Sequence, residues 1–224
     1  MPNSRSQQFL YRIVRYERLV QMLRTDEWHF AHPSTWEDPY EVRIQNTLSP
    51  VLFAQCWCRK GVSDAMWRIY SPDKLGVRIR TRVDRLKSAL LASALHSDVA
   101  FRVGRVKYIN ELEYVVHSSK IANDLAKKVT FTRASAHLML KRVAFDHEAE
   151  TRVVVIDLSK AARDGARGLT LNLDSKNLIE SVLVDPRAPD AFVDSYRHYL
   201  KDVLGYRGTV KKSQLYRSDV TREE

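Results

Sequence analysis

Residues 141–158 read KRVAFDHEAETRVVVIDL, so that two glutamates and an arginine at alternate positions run straight into Val153, Val154, Val155 and Ile156. Four successive apolar, largely β-branched residues suit a buried strand. On a strand, side chains at i and i+2 share a face, so Glu148, Glu150 and Arg152 are expected on one side where the strand begins. Unpaired charges avoid burial, and the row therefore predicts solvent, an ion-pair network or a site. Spacing alone leaves open a solvated strand start in which Arg152 bridges a carboxylate.

The rest of the chain alternates short strands with helices. Strands are expected over 9–14, 27–31, 51–58, 75–81, 99–108 (one strand or a pair) and 177–184. Helices are expected over 16–23, 84–95, most of 112–140 with a break near 129–131, and 189–204 ending at Gly205. Ser63-Asp64 predicts the cap of a short helix carrying Met66, Trp67 and Tyr70. Ser34 to Pro39 reads as a turn, with Asp38 constrained by the proline after it, and 160–168 as polar and turn-like. With 224 residues and no repeat or linker, the chain predicts a single α+β domain over 1–216, a mixed, largely antiparallel sheet flanked by helices, and a frayed tail at 217–224.

Composition and motif absences narrow the chemistry. A net charge of +10 favours polyanions such as nucleic acid, nucleotides or an acidic partner. Arg78, Arg80 and Arg82 form the densest basic row, either a solvated strand face or a phosphate track. Cys56 and Cys58, two apart on one strand, make a poor disulfide and lack zinc-type spacing, which implies a reducing, cytoplasmic setting. No apolar run suits a signal peptide or a membrane span. The chain has no clustered glycines for a phosphate loop, no His-Glu-x-x-His and no serine elbow. What remains is aromatic and charged side chains at strand ends: Tyr11 and Arg12, Trp36 and Asp38, Trp57 and Cys58, Trp67 and Tyr70, and Glu148 with Glu150. Each alone reads as packing or surface. Together they suit NAD at its nicotinamide ribose, where rings stack a base, arginine pairs with phosphate and a carboxylate holds a ribose hydroxyl or developing positive charge.

The same residues resemble a bacterial family known as domain of unknown function 2971. The matching pieces are Phe9-Leu10-Tyr11-Arg12, Asp38-Pro39-Tyr40-Glu41, Trp57-Cys58, Met66-Trp67-Arg68-Ile69-Tyr70, Leu75-Gly76-Val77-Arg78-Ile79, and Lys141 with Glu148, Glu150 and Arg152; the resemblance extends over nearly the full length. The order of motifs is also similar to that of ADP-ribosyltransferase-type domains. That resemblance implies Arg12 and the catalytic carboxylate Glu150 acting on NAD, Glu148 orienting the acceptor, and Tyr11, Trp57, Cys58, Trp67, Tyr70 and Asp38 binding the dinucleotide. Lys141 and Arg152 are then structural partners of the glutamates, and no metal is implied. It further implies a toxin or phage-defence effector acting on nucleic acid or a nucleic-acid-associated protein, under the control of a cognate antitoxin or neighbour. Cys58 departs from the family's serine, which puts that position's role in question.

Two other functions fit the residues. One is a non-catalytic module binding nucleic acid or a partner protein, with the glutamates and Arg152 as a structural network. The other is a nuclease holding a divalent metal between Asp38, Glu41, Glu148 and Glu150.

Overall fold

The computed structural model of the chain describes residues 8–159 and 165–217. The expected tail, apart from Arg217, and much of the polar stretch after Leu158 lie outside them. In chain order the elements are β1 (Phe9–Val14), α1 (Tyr16–Thr25), β2 (Glu27–Ala31), β3 (Leu52–Cys58), α2 (Asp64–Tyr70), β4 (Val77–Arg82), α3 (Val83–Ala94), β5 (Val99–Arg105), β6 (Lys107–Ile109), α4 (Glu111–Lys127), α5 (Phe131–Ala134), β7 (Leu140–Arg142), β8 (Glu150–Asp157), β9 (Gly168–Asn172), α6 (Ser175–Leu178), β10 (Ser181–Val184), α7 (Asp190–His198) and β11 (Thr209–Lys212). The result is a mixed α+β domain. A nine-stranded sheet runs β11-β10-β4-β1-β3-β2-β9, with β8 and then β5 added along β3, and β6 and β7 form a separate parallel pair. Every pairing in the large sheet is antiparallel except β10 with β11.

Burial explains the strand sequences. On one face Leu10, Phe53, Trp57, Val77, Ile79, Val153, Val155 and Val182 pack beneath α1, α3, α7 and the turn that follows it through Leu19, Met22, Leu86, Leu90, Val193 and Leu200. On the other face of β3 and β8, Leu52, Ala54, Val154 and Ile156 meet Leu125, Ala134, Leu138 and Met139 from α4 and its continuation. β8 is thus covered on both sides, which is why Val153 to Ile156 lack alternation. β4 has helices on one side only, and it alternates Val77, Ile79 and Thr81 inward with Arg78, Arg80 and Arg82 outward.

Three expectations need correction. Residues 177–184 are not one strand: the Asp174 side chain accepts the Asn177 N–H at 3.1 Å and holds a helical turn through Leu178 before β10 starts. The final helix does not end as a plain α-helix, because Tyr199–Val203 widens into a π turn before Gly205, whose φ is +66°. Glu148 does not belong to β8. Residues Val143–Glu148 form a 3-10 helix closed by Ala149 in the left-handed region, at φ 45° and ψ 51°, and the strand begins at Glu150. A left-handed alanine costs on the order of 1 kcal/mol. Its carbonyl is gripped by the Arg59 backbone N–H and Nε–H, each at 3.1 Å.

Candidate functional site

β1 and β3 are bridged only at Tyr11 and Cys58, and β2 and β3 only at Ala31 and Ala54, so the sheet opens beside the carboxyl end of β3. The opening is a cleft with Tyr11, Arg12 and Ile13 on one side and Cys56, Trp57 and Cys58 on the other. Met66, Trp67 and Tyr70 of α2 line it too, as do Arg78, Glu148 and Glu150. α2 is pinned at both ends. Ser63 accepts the Met66 N–H at 3.3 Å, and Arg187, ion-paired to Asp185, donates to the carbonyls of Trp67 and Ser71 at 3.0 and 2.7 Å.

The cleft has opposite charges at its two ends. Burial lowers the Arg12 guanidinium to about 10, and the groups that oppose the shift are Cys56 and Tyr70, not a carboxylate. Arg12 therefore remains charged at neutral pH without an acidic partner among the described residues. Three carboxylates and two cations meet at the other end. Lys141 Nζ is hydrogen-bonded to Glu148 and lies 3.4 Å from Glu150 Oε1. Arg152 donates its Nε–H to Glu150 Oε2 at 2.7 Å, pairs with Glu41, donates to the Leu138 carbonyl at 2.8 Å and stacks 4.5 Å above the Trp36 ring. The Glu150 backbone N–H reaches the Tyr108 hydroxyl at 2.7 Å. Lys141 and Tyr108 are neighbours because β6 and β7 pair in that register.

Environment separates the two glutamates. Burial, reinforced by a hydrogen bond with Glu150, pushes the Glu148 carboxyl up to about 7. Burial also acts upward on Glu150, but the charges of Arg152 and Lys141 and hydrogen bonds from Glu148 and Arg152 outweigh it and leave that carboxyl below its ordinary range. At neutral pH Glu150 is an anion and Glu148 exchanges a proton. Carboxylates so separated divide acid–base from electrostatic work.

The expected site residues fall into three groups. Tyr11, Arg12, Cys58, Tyr70, Glu148 and Glu150 line the cleft together, with Lys141 and Arg152 behind the glutamates. Trp57 borders it from below: the ring is 1% exposed, stacks with Trp28 at 6.0 Å and donates its N–H to Gln55, while Trp67 is equally buried. Neither offers an open face to a base. Asp38 is not brought to the cleft, because Arg142 holds it at 3.1 and 3.3 Å beside Tyr40. The Cys58 thiol is tied to the Lys60 backbone, and burial raises its pKa, so it is a poor nucleophile. Sequence reasoning gave Glu41 only a metal role and overlooked Tyr108 and Arg59. Glu41 had one signal, its place in the Asp38-Pro39-Tyr40-Glu41 turn. Lys141 and Arg152 occupy the space between the carboxylates that a divalent ion would need, and no group of three metal-ligating side chains converges among the described residues.

The raised Glu148 carboxyl gives a pH prediction. The folded state binds this proton more tightly than the unfolded chain, whose glutamate titrates near 4.5. Its stabilising contribution is therefore complete below that value and lost as pH rises through about 7. Between about pH 5 and pH 7.5, urea unfolding of the wild type is expected to lose on the order of 2 kcal/mol more than that of Glu148→Gln. Equal slopes for the two proteins would remove the assignment.

The sequence matches the family described as "Protein of unknown function (DUF2971)" over residues 66–153. That segment spans α2 to the start of β8 and is shorter than the near-full-length resemblance, since it leaves out Arg12 and Asp38. No curated protein matches the chain. Among solved structures, the chain is similar to Thermus sp. 2.9 DarT in complex with carba-NAD+, with a TM-score of 0.44 at 12% identity over 93% of this chain and 96% of that one. It is similar to the same protein in complex with NAD+, with a TM-score of 0.42 at 12% identity over 94% and 98%. It is also similar to that protein in complex with ADP-ribosylated ssDNA, with a TM-score of 0.42 at 10% identity over 93% and 95%. At such identities and TM-scores below 0.5, chemistry does not pass from those structures to this chain. No helix among the described residues is long and apolar enough to cross a membrane.

Proposed function

We propose that the chain is an ADP-ribosyltransferase that uses NAD as its substrate and modifies nucleic acid or a nucleic-acid-associated protein. The observation that carries this reading is one cleft lined both by the half-buried guanidinium of Arg12, which has no acidic partner among the described residues, and by the Glu148–Glu150 pair. NAD supplies a ribose that becomes electrophilic as nicotinamide leaves. The residues fit it. Arg12, with Arg78 nearby, presents uncompensated positive charge to a diphosphate. Glu150, held anionic by Arg152 and Lys141, accepts a hydrogen bond from a ribose hydroxyl and stabilises the positive charge that develops on the sugar. Glu148, half deprotonated near pH 7, takes the acceptor's proton. The basic charge of the chain suits an acidic acceptor, and a toxin of this type would need a cognate neutralising partner.

Calorimetric titration of NAD and a labelled-NAD turnover assay over nucleic-acid and protein acceptors test the proposal; neither binding nor consumption would end it. Arg12→Leu separates binding from folding. Burial disfavours the Arg12 charge, so its removal is expected to leave the melting temperature unchanged or higher while weakening NAD binding at least tenfold. A fall in stability with unchanged NAD affinity would make Arg12 structural.

The buried network of Glu41, Arg152, Glu150, Lys141 and Glu148 favours one alternative, a non-catalytic binding module in which those charges only hold β7 against β8. Salt-dependent nucleic-acid binding indifferent to Glu150→Gln would support it.

A further inference from the structure

On the outward side of β1 and β4 the side chains repeat, with Gly61 and α2 against the Tyr11 end. Phe9 and Tyr11 project from β1, their rings 6.5 Å apart, while Arg78, Arg80 and Arg82 project from β4 beside them. Each guanidinium leans diagonally along the register. Arg78 lies 4.9 Å from the centre of the Tyr11 ring and Arg80 lies 4.5 Å from that of Phe9. The Nε–H groups of Arg78 and Arg80 are buried without a hydrogen-bond partner. From the cleft, where Tyr11 and Arg78 stand, this ladder runs to a shallow groove bordered by Phe9, Arg82, Arg85, Lys176 and Arg207. Charge along it is poorly balanced. Glu180 lies 2.8 Å from Arg82 and 3.1 Å from Arg85, and Asp84 lies 3.8 Å from Arg82, whereas Arg80 is no closer than 3.7 Å to a carboxylate. From residue 78 to residue 82 a strand extends about 13 Å.

We infer that this ladder is a docking track for a single-stranded polynucleotide, which it leads from the groove at Arg207 toward the cleft. Stacked aromatic and guanidinium planes at strand spacing receive the flat faces of unpaired bases, and the flanking arginines and lysine take the phosphates. A duplex keeps its base faces internally stacked and an acidic peptide has none, so both would use the charges alone. Base stacking and phosphate pairing do not depend on the ribose 2′-hydroxyl, and strands of either sugar are expected to bind alike. Binding here is measured without NAD and does not depend on the reaction proposed for the cleft.

Fluorescence anisotropy of labelled dT and U twelve-mers against the full chain tests the track. Wild type is expected to bind both within a few-fold, and at least tenfold more tightly than a duplex of equal length or heparin fragments of equal charge. Arg80→Ala is expected to weaken the dT strand about fivefold and to reduce the salt slope by about one. Phe9→Ala is expected to weaken it about tenfold with the slope unchanged, because it removes a stacking face and no charge. Lys120→Ala, on α4, should bind as wild type does. Circular dichroism melts of each variant establish that it is folded. Equal affinity for heparin or duplex, or full affinity in folded Phe9→Ala, would reduce the ladder to a solvated basic face and overturn the proposal.

Discussion

Arg152→Ala is expected to destabilise the fold by about 3–5 kcal/mol, the range for removing one member of a buried ion pair. The side chain is 1% exposed and serves Glu41, Glu150 and the Leu138 carbonyl at once while covering the Trp36 ring. Its removal leaves Lys141 as the sole cation for three buried carboxylates. In a domain of this size the melting temperature should fall by about 10 °C or more. Arg152→Lys should lie between the two, because an ammonium preserves charge but lacks the planar fork that meets two carboxylates and a carbonyl together. A melt of Arg152→Ala within about 2 °C of wild type would show that the network adds little to stability.

Glu150→Gln should lower turnover of NAD about 10³-fold with the fold preserved, the size of loss seen when a preorganised electrostatic contact to a transition state is removed. Preservation of the fold follows from the charge count. The substitution leaves Glu41 and Glu148 against Arg152 and Lys141, one anion for each cation, and the glutamine oxygen still accepts from Arg152. Removing the neighbouring anion also lets Glu148 ionise more readily, so the acid limb of any residual activity should move to lower pH. Steady-state kinetics with matched thermal melts decide the matter. Turnover within tenfold of wild type would take the carboxylate out of the chemistry, and a collapsed melt would favour the structural alternative.

The charged row at the start of β8 shows what the sequence could and could not convey. Alternation placed Glu150 and Arg152 on one strand face, and they are hydrogen-bonded there at 2.7 Å. The same rule also put Glu148 on the strand, whereas left-handed Ala149 turns it out of a 3-10 helix to meet Lys141. Nothing local marks Ala149 for that conformation, which glycine or asparagine more often adopts. It is held by Arg59, ninety residues away in sequence. Trp57 and Trp67 are expected at the dinucleotide but lie in the core, because aromatic type alone does not distinguish an exposed ring from a packed one. Asp38 is held away from the cleft by Arg142, a partner that no local pattern in the sequence indicates.

By itself the sequence determined most of the succession of strands and helices, though not β7, β9 or α6, and which faces are apolar, since backbone preference and side-chain alternation are local properties. It also determined that charges at the head of a buried strand must be compensated. Only the tertiary structure decided how. The parting of β1 from β3 beyond their single bridge at Tyr11 and Cys58 opens the cleft and leaves Arg12 without an acidic partner among the described residues, and the β6–β7 pairing brings Lys141 to Glu148 and Glu150. Each of these depends on contacts between segments distant along the chain, and the resulting burial sets which carboxylate holds a proton near neutral pH.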